Sequence, residues 1–362
     1  MNPLNQIRNL DQSIWLDLLD REIMTSGKLQ SLIDNDDLRG LTSNPSIFEK
    51  AISDSADYDE DIIKLSKTDN DNSSIFFDLA IADIQMAADI FKPVYDKTNG
   101  KDGFVSLEVS PYLARDTDGT IEQARELWKR VDRKNVMIKI PGTIEGLIAI
   151  RECLREGINI NVTLLFGLPR YREITEAFMG GLEDRLAEGN PIKDVSSVAS
   201  FFLSRIDVMV DPTLKEKGAN YLIGKIAIAS AKKAYQIYLE MISSDRFKKL
   251  EESGAQRQRV LFASTGTKDP SFSDVLYVES IIGRDTINTL PIESIDAFRD
   301  HGKVAETLTQ DINDANKAMV DLKELGIMID VVTQKLENEG IEKFNMAYEK
   351  LIKSIDSQKR KL

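Results

Sequence analysis

The chain has 362 residues, of which 42% are hydrophobic and 30% charged, and its formal net charge is −13 at pH 7. This composition is typical of a globular protein, and the excess of acid argues against nucleic acid or an anionic membrane as a main partner. Residues 1–11 lack a secretory layout, and no apolar run approaches the roughly 18 residues of a membrane span. We therefore expect a cytoplasmic protein.

Two chemically versatile residue types occur only once. Cys153 is the only cysteine, which excludes an internal disulfide and a cysteine-built metal site. His301 is the only histidine, which excludes mechanisms that need a histidine pair and argues against a Ser-His-Asp triad. We expect His301 to be a solvated residue at a helix end.

Short apolar stretches alternate with amphipathic stretches along the chain, a pattern that predicts βα units around a parallel sheet. We predict eight strands, at residues 13–17, 38–42, 104–109, within 135–143, 158–163, 195–200, 260–264 and 287–290. Helices are predicted over 18–33, 74–95, 121–131, 144–156, 170–188 and 213–242. Eight such units indicate an α/β protein with a (β/α)8 barrel, or TIM barrel, and additional helices.

The end of the chain differs from the rest because its pattern is helical only, through 311–322 and 340–357. We expect a barrel catalytic domain over residues 1–310. Residues 311–362 are expected to form a helical extension that packs on the barrel, because no low-complexity linker separates them from it.

Lys139 stands inside a stretch that should be a buried strand. Side chains alternate along a strand, so Val136, Ile138 and Ile140 share one face and Lys139 lies on the other. One interpretation is an ion-paired lysine near a strand end. The other is an amine in a low-dielectric pocket, with a lowered pKa, that attacks a carbonyl and forms a Schiff base.

Polar residues stand near the carboxyl ends of seven of the predicted strands. In chain order they are Asp17, Thr42 with Asn44, Glu108, Lys139, Thr163, Ser200 and Ser264. Catalytic groups of a (β/α)8 barrel come from these ends, so the residues should share one pocket. Singly, each has another explanation, because such residues often cap the following helix. Glu108 and Lys139 could also be only an ion pair on adjacent strands.

Several motifs together resemble the transaldolase family, in its longer subfamily, from about Asp11 to about Asp300. They are Gly40-Leu-Thr-Ser-Asn-Pro-Ser46, Glu108-Val, Met137-Ile-Lys-Ile-Pro-Gly-Thr143, Asn161-Val-Thr-Leu-Leu-Phe166 and Ser200-Phe-Phe-Leu-Ser-Arg205. The resemblance implies a circularly permuted class I aldolase barrel whose Schiff-base lysine lies on strand four. Lys139 falls on the strand counted here as fourth.

The resemblance also implies a role for each site residue, without metal or organic cofactor. Lys139 would form the Schiff base, Glu108 would move protons through a water held by Thr163, and Asp17 would exchange the C4 hydroxyl proton. The residues expected to hold the dihydroxyacetone hydroxyls are Thr42, Asn44, Asn161 and Ser200.

The phosphate end of the substrate is the part where the sequence departs from the family pattern. Arg205 is expected to bind the phosphate, and Phe202 to be either a pocket wall or a core residue. Shorter members carry a second arginine after strand seven, whereas this chain reads Ser264-Thr-Gly-Thr-Lys268. Lys268 is the expected substitute.

The predicted reaction converts sedoheptulose 7-phosphate and glyceraldehyde 3-phosphate to erythrose 4-phosphate and fructose 6-phosphate, by a monomer or homodimer. One alternative is a fructose 6-phosphate aldolase-like lyase that releases dihydroxyacetone. The other is a phosphosugar-binding barrel without catalysis.

Overall fold

Eight parallel strands close into a barrel in the computed structural model, which describes residues 2–67 and 71–361. The strands are β1 Gln12–Asp17, β2 Gly40–Thr42, β3 Phe104–Glu108, β4 Val136–Pro141, β5 Ile160–Leu165, β6 Ser197–Phe202, β7 Arg259–Ala263 and β8 Thr286–Leu290. Each pairs with its neighbours in chain order, and β8 closes the barrel against β1. The predicted (β/α)8 barrel is confirmed.

Helices follow the strands and surround the barrel. They are α1 Pro3–Ile7, α2 Arg21–Thr25, α3 Lys28–Asp36, α4 Pro45–Asp54, α5 Asp59–Ser66, α6 Asn72–Lys97, α7 Thr117–Val131, α8 Ile144–Glu156, α9 Leu168–Ala187, α10 Ser204–Glu216, α11 Ile226–Ser243, α12 Asp245–Glu252, α13 Leu276–Ser280, α14 Ile292–His301, α15 Ile312–Glu324 and α16 Ile329–Lys361. Short 3-10 turns occupy Arg8–Leu10, Pro111–Leu113 and Asn220–Leu222. In the described ranges, no helix combines the length and the apolar content needed to cross a membrane.

Two predicted helices are each broken into two by glycine. The helix expected over 18–33 ends at Thr25 and resumes at Lys28, because Gly27 takes a left-handed φ of 79°. The long helix expected over 213–242 is interrupted as well. Gly218 and Gly224 have φ of 69° and 72°, and they flank the 3-10 turn between α10 and α11. A residue with left-handed φ ends a helix, so both predictions of one continuous helix were wrong.

Three strands begin two residues later than predicted, and the first of them is β2, which begins at Gly40 and not at residue 38. β5 was expected from Ile158 but begins at Ile160. Asn159 is buried before the strand, and its side-chain amide donates to the carbonyls of Lys134 and Val136. Its backbone carbonyl also accepts from the amide of Ile138 at 2.8 Å, so Asn159 ties the start of β5 to β4 through both its side chain and its backbone. β6 similarly begins at Ser197 and continues to Phe202, past the expected end at residue 200.

Buried polar groups fill the barrel near the amino ends of the strands. Arg259 pairs with Asp102 at 2.8 Å and donates to the Ser13 hydroxyl at 3.0 Å. Trp15 lies beside them with no exposed surface, and its ring packs so closely on Gly40 that a Cβ there would come within 2.5 Å. The barrel is thus a packed core at this end, and the open space lies at the other.

The last helix, α16, lies across the end of the barrel where the strands finish. It contacts α4, α10 and β5, and its Gly340 approaches Leu164 at the end of β5. Farther along, Gln358 donates to the carbonyl of Ile52 on α4 at 2.8 Å. The helix predicted over 340–357 is therefore longer than expected, and it covers part of the barrel mouth.

Candidate active site

A pocket of about 620 Å³ opens at the carboxyl ends of the strands. Ten of the twelve predicted site residues line it: Asp17, Thr42, Asn44, Lys139, Thr163, Ser200, Phe202, Arg205, Ser264 and Lys268. Seven of the eight strands place a residue in its wall, β3 being the exception. The structure therefore brings these ten residues to one pocket at this end of the barrel.

Lys139 is buried, with only 5% of its surface exposed, and it lines the floor of the pocket. Its Nζ donates a hydrogen bond of 2.7 Å to the backbone carbonyl of Ser43. The same nitrogen lies 3.3 Å from Oε2 of Glu108, which faces it from the paired position on β3. The amine is inside the barrel, paired with an acid but still open to the pocket.

Glu108 and Asn161 are the two predicted site residues that do not line the pocket. Asn161 has no exposed surface, and Glu108 lines a second, small cavity of about 10 Å³, roughly the room of one water. Neither oxygen of Glu108 makes a hydrogen bond with the described residues, and neither does the Thr163 hydroxyl. A buried polar group needs a partner, so the Glu108 carboxyl group and the Thr163 hydroxyl, which line different cavities, are each suited to binding a water.

The acids of the site have pKa values above their usual range. Burial raises the pKa of Asp17, and the opposing influences are the charge of Lys139 and a hydrogen bond from Thr42. Burial likewise raises the pKa of Glu108, opposed by the charge of Lys139. Carboxyl groups shifted toward neutrality in a pocket are suited to taking up and returning protons.

Three hydrogen-bonding side chains from β1, β2 and β8 meet beside the lysine. The Thr42 hydroxyl donates to Oδ1 of Asp17 at 2.7 Å, and its oxygen lies 2.8 Å from the Thr289 hydroxyl. Thr289 also lines the pocket, although it was not among the predicted site residues.

On the opposite wall, a second chain of hydrogen bonds fixes an amide. Ser200 donates to Oδ1 of Asn161 at 2.6 Å, and Nδ2 of Asn161 donates to the hydroxyl of Ser106 at 3.0 Å. Asn44 has a double role, because its side-chain oxygen caps α4 by accepting from the amides of Ser46 and Ile47. Its side-chain oxygen is therefore used in helix capping, and its amide nitrogen remains for a ligand.

A cationic end of the pocket lies near β6 and β7. The Arg205 guanidinium is 5.8 Å from the centre of the Phe202 ring, and burial lowers the pKa of Arg205. Lys268 is exposed at the rim, and no salt bridge to it occurs in the described part of the chain. Ser264 is held by a 2.9 Å contact between its hydroxyl and that of Ser204.

Three further groups belong to the site although sequence reasoning missed them. The Ser43 carbonyl is a backbone group, which no side-chain pattern reveals. Thr289 lies on β8, where polar and apolar residues occur on both faces. Phe344 lines the pocket from α16, more than 200 residues away in sequence from Lys139, and no local pattern indicates such a contact.

The one histidine and the one cysteine of the sequence, His301 and Cys153, do not line the pocket. His301 ends α14, is exposed, and contacts Asp274 at 2.9 Å and Asp300 at 3.1 Å, both of which raise its pKa. Cys153 is a buried free thiol on α8. The expectation of a solvated histidine at a helix end is confirmed.

Comparison with known proteins gives one consistent result. Residues 14–355 match the family model described as transaldolase/fructose-6-phosphate aldolase. A protein of Trichodesmium erythraeum named transaldolase is 46% identical, over 100% of this chain and 98% of its own. Transaldolase 2 of a Nostoc species is 45% identical over 99% of this chain and 98% of its own, and transaldolase of Thiobacillus denitrificans 42% over 98% and 100%. The chain therefore belongs to the transaldolase/fructose-6-phosphate aldolase family.

Proposed function

We propose that this protein is a transaldolase that moves a dihydroxyacetone unit from sedoheptulose 7-phosphate to glyceraldehyde 3-phosphate. The products are erythrose 4-phosphate and fructose 6-phosphate. The observation that carries the proposal is a single buried amine, Lys139 Nζ, at the floor of a pocket large enough for a sugar phosphate, 3.3 Å from a buried carboxyl group. Family membership narrows the chemistry to ketose cleavage and transfer.

The first stage joins enzyme and substrate. The neutral amine of Lys139 attacks the C2 carbonyl, and the carbinolamine loses water to form an iminium ion. Glu108 and Thr163 are proposed to support proton movement here through a water, because their side-chain oxygens make no hydrogen bond with the described residues and Glu108 lies 3.3 Å from the amine. The raised pKa of Glu108 favours a carboxyl group able both to give and to take a proton.

The second stage breaks and remakes the C3–C4 bond. Asp17 accepts the C4 hydroxyl proton while the bonding electrons move to the iminium nitrogen, so an aldehyde leaves and an enamine remains on Lys139. The acceptor aldehyde then adds to C3, and its oxygen receives the proton from Asp17. Asp17 lines the pocket with Lys139, which supports this role, and its raised pKa suits a proton acceptor.

Retention of the three-carbon unit separates a transferase from a lyase. Thr42, Asn44, Asn161 and Ser200 hold its hydroxyl groups in this proposal, and the fixed Ser200–Asn161 bond of 2.6 Å supports a rigid binding wall. A rigid wall holds the enamine in place until the acceptor arrives.

The phosphate is proposed to lie between Arg205 and Lys268. Arginine presents a planar fork that matches phosphate oxygens, whereas lysine acts as a point charge. Phe202 restrains the guanidinium from one side, and Ser264 adds a hydroxyl at the same end of the pocket.

The organisation of the protein completes the proposal. Residues 1–310 form the catalytic barrel and residues 311–362 an extension packed on it, as supported by the contacts of α16 with α4, α10 and β5. A cytoplasmic monomer or homodimer that acts on sugar phosphates fits the buried free thiol of Cys153, since thiols persist in reducing compartments.

Product analysis tests the reaction against its alternatives. With fructose 6-phosphate and erythrose 4-phosphate, we expect sedoheptulose 7-phosphate to accumulate. Without an acceptor, we expect one turnover and then a halt, because the enamine stays on the enzyme. Steady release of free dihydroxyacetone would instead identify a lyase, and substrate binding without any product would identify a phosphosugar-binding barrel.

A further inference from the structure

We infer that Thr289 is a positioning residue for Asp17 that acts through Thr42. The inference deepens the proposed function, because it rests on the role of Asp17 as the acceptor of the C4 hydroxyl proton. It concerns β8, the one strand for which no site residue was predicted.

The geometry is a short chain of hydroxyl groups across the barrel mouth. Thr289 and Thr42 are 4% and 2% exposed, and their hydroxyl oxygens are 2.8 Å apart. Thr42 in turn lies 2.7 Å from Oδ1 of Asp17. The strands that carry the two threonines both pair with β1, so the chain of bonds spans β8 to β2 beside the carboxyl group that ends β1.

When Asp17 is ionised, as it must be to accept the substrate proton, counting protons fixes the direction of this chain. A hydroxyl group has one proton to donate, and an ionised carboxylate can only accept. The proton of Thr42 therefore goes to Asp17, and Thr289 must donate to the oxygen of Thr42. No donor among the described residues bonds Oδ2 of Asp17, so this second oxygen is left for the substrate hydroxyl.

Removal of the Thr289 hydroxyl should change the orientation and the ionisation of Asp17, although Thr289 bonds Asp17 only through Thr42. The oxygen of Thr42 loses its donor, its own proton is no longer polarised toward Asp17, and the hydrogen bond to the ionised form weakens. A weaker bond to the charged form raises the pKa of that carboxyl group. Asp17 is then both less well oriented and ionised over a narrower pH range.

Loss of the Thr289 hydroxyl should affect only the stage in which the C3–C4 bond is broken and remade. Schiff-base formation precedes C3–C4 cleavage and does not need Asp17, so borohydride trapping of Lys139 should be unaffected. The kcat for transfer should fall, and the acid limb of its pH profile should move to higher pH. KM should change little, because the phosphate end of the substrate is held at Arg205 on the other side of the pocket.

The test compares Thr289→Val, which keeps the shape and removes the hydroxyl, with Thr289→Ser, which keeps the hydroxyl. We expect valine to lower kcat about 10-fold and serine to recover most of that loss, in line with the loss of one hydrogen bond. If valine prevents folding, Thr289→Ala makes the same comparison. Thr286→Val is the matched control. This buried hydroxyl lies at the other end of β8, where it donates to the carbonyl of Gly283 at 2.6 Å and accepts from the Gln12 amide at 2.9 Å, so the acid limb should stay in place.

Two outcomes separate failure of the inference from failure of the proposed function. Asp17→Asn should abolish transfer while trapping persists. If it does so and Thr289→Val keeps the wild-type kcat and pH profile, the inference is overturned and the proposed function stands. If Asp17→Asn transfers at the wild-type rate, the role of Asp17 is wrong and the inference goes with it. A combined Thr42→Val and Thr289→Val loss smaller than the product of the single losses would support the shared chain.

Discussion

Stability of this protein should fall between pH 5 and pH 8 because of one buried carboxyl group, Asp207 on α10. Its Oδ1 accepts from the amide of Ala227 near the start of α11 at 2.8 Å, and its Oδ2 accepts from the Tyr277 hydroxyl at 2.8 Å. Asp207 thus ties together three helices, and it lies two residues from Arg205. Burial raises its pKa to about 7.

The direction of the pH effect follows from the raised pKa. The folded state holds the Asp207 proton up to about pH 7, whereas the unfolded chain releases it near the ordinary value of 3.8. This contribution to stability is therefore present at low pH and is lost as the pH rises through about 7. Each pH unit between the two pKa values costs about 1.4 kcal/mol, so the free energy of unfolding should fall by about 3 kcal/mol between pH 5 and pH 8.

Urea unfolding of wild type and Asp207→Asn at pH 5, 6, 7 and 8 measures this contribution. Asparagine mimics the protonated carboxyl group and still accepts from Ala227, so the variant should lose most of the slope and exceed the wild type in stability at pH 8. Glu216→Gln is the matched control, because it removes an exposed carboxyl group at the end of the same helix and leaves Asp207 in place. Parallel stability curves for wild type and Asp207→Asn would refute the reasoning. His301, whose pKa is raised by Asp274 and Asp300, and Asp211, whose pKa burial raises to about 6, are common to all three proteins.

Two further predictions concern the pocket itself. Arg205→Lys should raise KM about 10-fold and Arg205→Ala about 100-fold. Charge-assisted hydrogen bonds contribute roughly 1.5–3 kcal/mol, and lysine restores the charge but not the planar fork of arginine. Equal KM values for the two variants would contradict phosphate binding at this position. Phe344→Ala should open the mouth beside α16, so that free dihydroxyacetone is released without an acceptor, as measured by product analysis. Met346→Ala, exposed on the same helix, should not do so, and equal release from both variants would count against a covering role for Phe344.

The barrel could be predicted from the sequence because strand alternation is a local signal. The pattern on β4 is enough to separate the face toward the helices from the face toward the barrel interior. Val136, Ile138 and Ile140 share the first face, and Lys139 lies on the second. Polar residues near strand ends then identify the pocket, since parallel strands present those ends to one side. Seven residues predicted from this pattern line the pocket: Asp17, Thr42, Asn44, Lys139, Thr163, Ser200 and Ser264. The other three, Phe202, Arg205 and Lys268, were expected only from the family resemblance.

The remaining features depend on contacts between distant parts of the chain. The backbone carbonyl that binds Lys139 belongs to Ser43, and no side-chain pattern encodes a carbonyl's direction. Phe344 reaches the pocket only because α16 lies across the mouth. The break at Gly27 does have a local signal, because a glycine stands within an amphipathic stretch. Whether this glycine takes a positive φ, however, depends on the packing of α2 and α3.

The central claim is that the Lys139 amine captures the ketone, and the most direct measurement is borohydride reduction with fructose 6-phosphate followed by peptide mapping. We expect one stable adduct, on the peptide that contains Lys139. Lys139→Ala should give none, while Lys134→Ala, an exposed lysine five residues earlier, should react like the wild type. An adduct that persists in Lys139→Ala, or its absence in the active wild type, would contradict capture by this amine.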